Sequence, residues 1–166
     1  VGDIVREYQA KYQHIVYKKI ENKGIAANTN AAAELASGEY LALADHDDIL
    51  APHAMYTMGQ AIRQLREAGE PDGFLYSDEA LFTKKIEKPL VAHFKPDYAP
   101  DYLLCCNYIC HLAVFRRELF EQVGGERPEC DGSQDHDLFL RLIEQVGGAA
   151  HVPQVLYYWR VHAGST

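Results

Sequence analysis

Apolar residues recur along this chain with two different periods. Val1, Ile4, Val5, Tyr8 and Tyr12 fall on one face of a helix. Ile15 to Ile20 alternates loosely and predicts a short strand, and Glu21-Asn22-Lys23-Gly24 predicts a turn. The small residues from Ile25 to Ala36 predict a second helix that closes at Ser37-Gly38, with Gly38 suited to the left-handed position after a helix. Tyr40-Leu41-Ala42-Leu43-Ala44 is an unbroken apolar run between a glycine and a group of acids, the pattern of a buried parallel strand. Pro52 suits the first turn of another helix, with Met55, Met58, Ile62 and Leu65 as its apolar face and Gly69-Glu70-Pro71 as its end. Gly73 to Tyr76 predicts a strand. Thr83 to Pro100 holds three prolines and no period, so a long loop is expected there. Tyr108 to Phe115 predicts a strand and Arg116 to Val123 a short helix ending at Gly124-Gly125. Ser133 can cap a last helix that buries Phe139, Leu142, Ile143 and Val146, and Val152 to Tyr158 predicts a final strand.

Alternating strands and helices imply βαβ units, and so a mainly parallel sheet flanked by helices. The 166 residues correspond to one domain. A doubly wound domain ordinarily opens on a strand and its ligand loop. This chain opens on a helix, so a domain incomplete at its N-terminus is expected.

Composition narrows the function classes. With 48% apolar and 24% charged residues the chain is an ordinary globular mix, not a disordered one. No apolar run reaches the roughly 18 residues of a spanning helix. The net charge of −8 argues against a broad phosphate-tracking surface for nucleic acid. It leaves room for an anionic small ligand, because a bound cation inverts the local sign. Cys105, Cys106, Cys110 and Cys130 contain no Cys-x-x-Cys pair, and adjacent cysteines make a strained disulfide. Free thiols are expected.

Two acidic clusters carry the candidate chemistry. Asp45-His46-Asp47-Asp48 directly follows the apolar strand, where α/β sheets bind ligands. Three carboxylates in four residues repel one another and suit Mg²⁺ or Mn²⁺. In extended geometry Asp45 and Asp47 point the same way. The plainer alternative is a solvated turn in which Asp48 caps the next helix. Ser133-Gln134-Asp135-His136-Asp137 opens the last helix. The helix dipole excuses one acid there, worth about 0.3–1 kcal/mol, but explains two acids and a histidine less well. An ionised carboxylate at that place can take a proton from a hydroxyl. In the C-terminal segment Trp159 could pack on the core, Arg160 could balance phosphate charge, and His162 could ligate a metal or stand at the surface.

Taken together, ENKGIAANTNAAAELASGEYLALADHDD, FLYSDEAL, HFKPDYAPDYLLCCNYICHLAVFRRELFEQVGG, GSQDHDLFLRLIE and HVPQVLYYWRVHAGST resemble the family 2 glycosyltransferases. These are inverting enzymes of the GT-A fold, and the chain is most similar to bacterial members that build O-antigen, capsule or rhamnose-rich polysaccharides. The resemblance implies a GT-A, Rossmann-like α/β domain over residues 1–166 that lacks its opening strands. It implies a nucleotide-diphosphate sugar as donor, a glycan or lipid-linked acceptor, and Mn²⁺ or Mg²⁺ as cofactor. Asp45 and Asp47 match the Asp-x-Asp motif, with Asp47 on the metal and Asp45 by the donor ribose or sugar. Asp48 supports that site and is a further candidate ligand. Asn22, Gly24 and Asn30 match a donor-side stretch. Asp135 matches the catalytic base, although Gln134 stands where a glutamate is usual, and Asp137 matches a helix-anchoring acid. His162 matches a further metal ligand, ahead of Ser165. Asp78, Glu79, Trp159 and Arg160 are carried over as acceptor or sugar contacts.

In this reading the cation neutralises the leaving diphosphate, Asp135 deprotonates the acceptor hydroxyl, and in-line attack inverts the anomeric carbon. The segment YYWR departs from the Gln-x-x-Arg-Trp pattern of processive members, which implies single additions. A cytoplasmic location, at the inner face of a membrane where acceptors are lipid-linked, follows from the same resemblance. A metal-dependent phosphoesterase and a non-catalytic nucleotide-sugar-binding fragment are the alternatives.

Overall fold

The computed structural model describes residues 2–162, so Val1 and Ser165 lie outside the described residues. The opening helical period folds as α1 (Gly2–Lys11) and the small-residue run as α2 (Ile25–Ala33). There follow β1 (Tyr40–Leu43), β2 (Ile49–Leu50), α3 (Ala54–Ala68), β3 (Phe74–Phe82), β4 (Val91–His93) and α4 (Pro100–Cys105). The chain continues through β5 (Ala113–Arg116), α5 (Arg117–Gln122), a 3₁₀ turn (Pro128–Cys130), α6 (Gln134–Val146) and β6 (Ala150–Arg160).

The strands form one sheet in the order β1-β5-β3-β6-β2, with β4 added to β3. The α/β class is as expected, but the pairing is mixed rather than mainly parallel. Among the described pairs, β3–β6 is parallel and β1–β5, β3–β5, β3–β4 and β2–β6 are antiparallel. The cause lies in the connections. β1, β3 and β6 run the same way, as crossover helices require. Between β3 and β5 the chain carries only β4 and the six-residue α4, so β5 returns in the opposite sense and lies between β1 and β3.

Alternation along the strands splits the core over two faces. Phe74, Tyr76, Ala113 and Phe115 pack with Phe120 and with Leu138, Phe139, Leu142 and Ile143 of α6. Leu75, Val114, Val152 and Leu156 pack on the other face with Ala54 and Met58 of α3. Phe74 meets Phe139 edge-on at 5.2 Å between ring centres. Each such aromatic side chain contributes about 1.5–3 kcal/mol by leaving water.

At the end of the sheet away from the carboxyl ends of β1 and β3, buried Asp72 accepts hydrogen bonds from Tyr40 Oη (2.7 Å), Arg66 Nε (2.6 Å) and Arg116 Nη2 (2.7 Å). Burial alone would raise its pKa. The Tyr40 hydroxyl and the two guanidinium groups outweigh burial and hold it well below the usual carboxylate range.

Several local expectations differ. Residues 15–20 are irregular, because no described strand lies beside them and Val16 is 62% exposed. β-propensity without a pairing partner does not make a strand. The expected strand at 108–115 begins only at Ala113, and residues 107–112 form a loop instead. The expected loop at 83–100 contains β4. Gly38 does not take a positive φ. The chain leaves α2 through Leu35 and Ala36 backbone bonds to Ala32 and Ala33. Met55 is 52% exposed, since the stripe that faces the sheet is Ala54, Met58, Ala61, Ile62 and Leu65.

Candidate active site

The carboxyl end of β1 runs into a turn closed by Asp48 N–H to Asp45 O at 3.3 Å. β6 holds that turn. Tyr157 Oη accepts from Asp45 N–H (2.9 Å) and donates to Asp48 Oδ2 (2.7 Å). Arg160 N–H donates to Asp48 Oδ1 (2.7 Å), and Arg160 Nε to Asp47 O (2.7 Å). Both Asp48 carboxylate oxygens are thus engaged by β6. The Arg160 guanidinium also lies 4.5 Å over the Phe82 ring, so it braces the turn. The segment is bent, not extended, and Asp45 and Asp47 therefore face different partners. Asp45 Oδ2 lies 3.5 Å from His111 Nε2, while Asp47 Oδ2 lies 2.9 Å from His162 Nε2. Each imidazole favours the charged form of its carboxylate and lowers that pKa.

The facing wall is the start of α6. Asp135 Oδ2 accepts from Asn107 Nδ2 and Asp135 Oδ1 from His136 N–H, both at 2.9 Å. Ser133 occupies the cap position, yet its side chain makes no cap bond. Asp137 pairs with Arg141 at 2.6 Å and Arg127 at 3.3 Å, which anchors the helix as expected. A cavity of about 600 Å³ joins the two walls. Asp45, His111, Asp135 and Trp159 line it, with Thr29 and Glu126 on the α2 side.

The other expected site residues are placed as follows. Asn22 Oδ1 accepts from Gly24 N–H (3.2 Å) and Asn28 Nδ2 (2.8 Å), shaping the entry to α2. Gly24 has φ 102°, and a Cβ there would sit 2.2 Å from Asp131 Oδ2. That close approach lets Asp131 Oδ1 accept from Ala26 N–H at 2.9 Å, in the first turn of α2. Asn30 lies outside the cavity lining and clamps the Glu126 backbone from both sides, at 2.9 and 2.8 Å. Asp78 and Glu79 are 2% exposed and hold internal partners. Asp78 Oδ1 accepts from Lys95 N–H and faces His151 Nε2, each at 2.9 Å. The β3–β6 register shifts on both sides of Asp78, which pairs with Val155, and Pro153, which cannot donate to the ladder, falls in the skipped stretch. Glu79 faces Lys95 Nζ at 3.3 Å and His93 Nδ1 at 3.2 Å. Lys95 in turn donates to the Ile109 (2.6 Å) and His111 carbonyls. It fixes the loop whose Asn107 and His111 hold the two cavity carboxylates.

Asn107, His111, Lys95, Tyr157 and Glu126 were not among the residues assigned site roles from sequence. His111 and Asn107 lie in the quoted CNYICHL stretch, but only the fold reveals which carboxylate each meets. Burial pushes the Cys110 thiol up to about 12, and the four cysteines are free.

A divalent cation fits one part of this arrangement. Asp47 Oδ2 and His162 Nε2 already converge, one oxygen and one nitrogen donor. Mg²⁺-like ions take one or two protein carboxylates and fill the remaining positions with phosphate oxygens and water. Among the described residues no group of three or more His, Cys, Asp or Glu is placed to hold a metal by itself.

The crossover-linked mixed sheet, with acids following β1, is of GT-A type. The family model described as "Glycosyl transferase family 2" matches residues 1–124. The chain belongs to that family. It is 33% identical to the O-antigen biosynthesis protein RfbC of Myxococcus xanthus, over 95% of this chain and 12% of the relative. Its fold resembles that of S. aureus TarS 1–349 in complex with UDP-GlcNAc, with TM-score 0.70 and 16% identity, over 98% of this chain and 46% of that one. It also resembles the mannosyltransferase PcManGT from Pyrobaculum calidifontis in complex with GDP-Man and Mn²⁺, with TM-score 0.65 and 18% identity, over 99% and 45%. The chain spans 18% and 12% of the length of two curated relatives it matches. No described helix is long and apolar enough to cross a membrane.

Proposed function

We propose that residues 1–166 form a catalytic domain that moves a sugar, with inversion, from a nucleotide-diphosphate donor to a hydroxyl of a glycan or lipid-linked acceptor. The reaction serves the synthesis of a cell-surface polysaccharide, on the cytoplasmic side and at the membrane face when the acceptor is lipid-linked. The observation that carries this reading is that Asp45 and Asp135, 90 positions apart in the chain, line one cavity. The names of the relatives support it, as does the Mn²⁺ recorded with one neighbour.

Asp47 and His162 would hold Mn²⁺ or Mg²⁺. When bound, the ion supplies positive charge against the leaving diphosphate. Asp45, kept ionised beside His111, faces the donor. Asp135 is oriented by Asn107, and takes the proton of the acceptor hydroxyl. That oxygen forms the new bond to the anomeric carbon as the bond to the diphosphate breaks, and the electron pair leaves with the diphosphate. Trp159 offers a ring on the same wall for a sugar face. One base suffices, unlike the two carboxylates that flank the bond in a glycoside hydrolase.

The test is incubation with UDP-, GDP- and dTDP-linked hexoses, Mn²⁺ and a hydroxyl acceptor, followed by mass analysis. A new glycoside of inverted configuration, lost on chelation, is expected. Rapid release of phosphate or nucleoside monophosphate without a glycoside would replace this reading with a phosphoesterase.

A further inference from the structure

Glu126 follows the Gly124-Gly125 turn and is 3% exposed. Its position is set by its backbone, which Asn30 grips at both N–H and C=O. Its carboxyl is free to do something else. The side chain lies in the wall of the 600 Å³ cavity, which Thr29 also lines. Among the described residues, Oε2 has no hydrogen-bond partner. Asp131 and Asp135 add like charge to the surroundings. Arg141, the cation that reaches this group electrostatically, spends its guanidinium on Asp137 and on the Val123 and Gly125 carbonyls. An orphaned buried carboxyl oxygen is costly, and an apolar residue of similar size would be the more stable choice. Folding therefore does not explain it, whereas a polar ligand in the cavity does.

We propose that Glu126 is a specificity-determining contact whose Oε2 accepts a hydrogen bond from a sugar hydroxyl bound between α2 and Asp135. The proposal rests on the glycosyltransferase reading above. The sugar can belong to the donor or to the acceptor. A hydrogen bond to a carboxyl oxygen changes binding by roughly tenfold.

The test uses Glu126→Leu and Glu126→Gln in the protein, titrated with UDP, GDP and the same panel of nucleotide hexoses in Mn²⁺. Trp159, the sole tryptophan, stands in the cavity and reports binding by fluorescence. Thermal unfolding is measured on each variant. If the contact is to the donor sugar, Glu126→Leu weakens the preferred nucleotide sugar at least tenfold and leaves the nucleoside diphosphate unchanged. If it is to the acceptor, donor binding is kept and the acceptor KM rises at least tenfold. In both cases Glu126→Leu melts no lower than the parent, and Glu126→Gln retains part of the affinity. Equal weakening of diphosphate and nucleotide sugar overturns the proposal, as does unchanged affinity and KM, or a lowered melting temperature as the sole effect. A parent protein that binds no nucleotide sugar at all removes the underlying reading and this inference with it.

Discussion

Replacing Lys95 by Met tests whether the loop between the two cavity carboxylates is held from beneath. Lys95 and Glu79 are both 3% exposed at their side chains and 3.3 Å apart, and the ammonium also donates to the Ile109 and His111 carbonyls. Burial lowers the Lys95 pKa, and the Glu79 carboxylate opposes that shift. Lys95→Met keeps the apolar stem and removes the charge, which strands Glu79 and two carbonyls in the interior. Breaking one side of a buried pair typically costs about 3–5 kcal/mol. Glu79 keeps the His93 imidazole 3.2 Å away as a remaining polar partner, so a loss at the low end, about 3 kcal/mol, is expected. Urea unfolding followed by Trp159 fluorescence measures it, with the slope of free energy on urea unchanged. Adding Glu79→Gln to Lys95→Met should recover about half the loss, because the stranded charge is gone. A single-variant loss under about 1 kcal/mol, or a second substitution that only adds to the loss, would refute the claim that a buried pair supports this loop.

Three further predictions concern the metal, pH and the α2 entry. Asp47→Ala should abolish the Mn²⁺ dependence of nucleoside diphosphate binding, read by titration with and without chelator. Burial pushes the Glu126 carboxyl up to about 7 from an ordinary 4.5. The folded state then holds that proton to higher pH than the unfolded chain does. Its contribution to stability is full below about pH 4.5 and declines as pH rises through 7. The decline amounts to about 3 kcal/mol at most, and Glu126→Gln should remove it from a denaturant series across pH 5–8. Gly24→Ala should cost about 1–3 kcal/mol in the same unfolding assay, because its φ of 102° disfavours a side chain and its Cβ would meet Asp131 Oδ2.

Much of the frame was legible from spacing. The period at Phe139–Val146 folded as α6, and the apolar run at Tyr40–Ala44 folded as β1, though as a partly exposed strand at the end of the sheet order that pairs antiparallel with β5 rather than as the expected buried parallel strand. What the periods could not carry was direction. β5 has the apolar run of any buried strand, and its antiparallel sense follows from how the chain returns after α4. Ile15–Ile20 alternates like a strand but has no neighbour to pair with. At the site, the acidic clusters stood out by charge density alone. His111, Asn107 and Lys95 did not, because their roles are set by contacts 14 to 66 positions away in the chain. Spacing alone leaves Asp45 and Asp47 equivalent, and the turn braced by Tyr157 and Arg160 gives each its own partner. Glu126 was hidden for the same reason, since nothing local distinguishes a buried glutamate from a solvated one.

The most direct measurement is sugar transfer by Asp135→Asn beside its affinity for the nucleotide-sugar donor. The substitution keeps the shape and a hydrogen-bond acceptor for Asn107 while removing the proton acceptor. Transfer should fall by roughly 10²–10⁴ with donor affinity unchanged. Transfer at the parent rate would contradict the account.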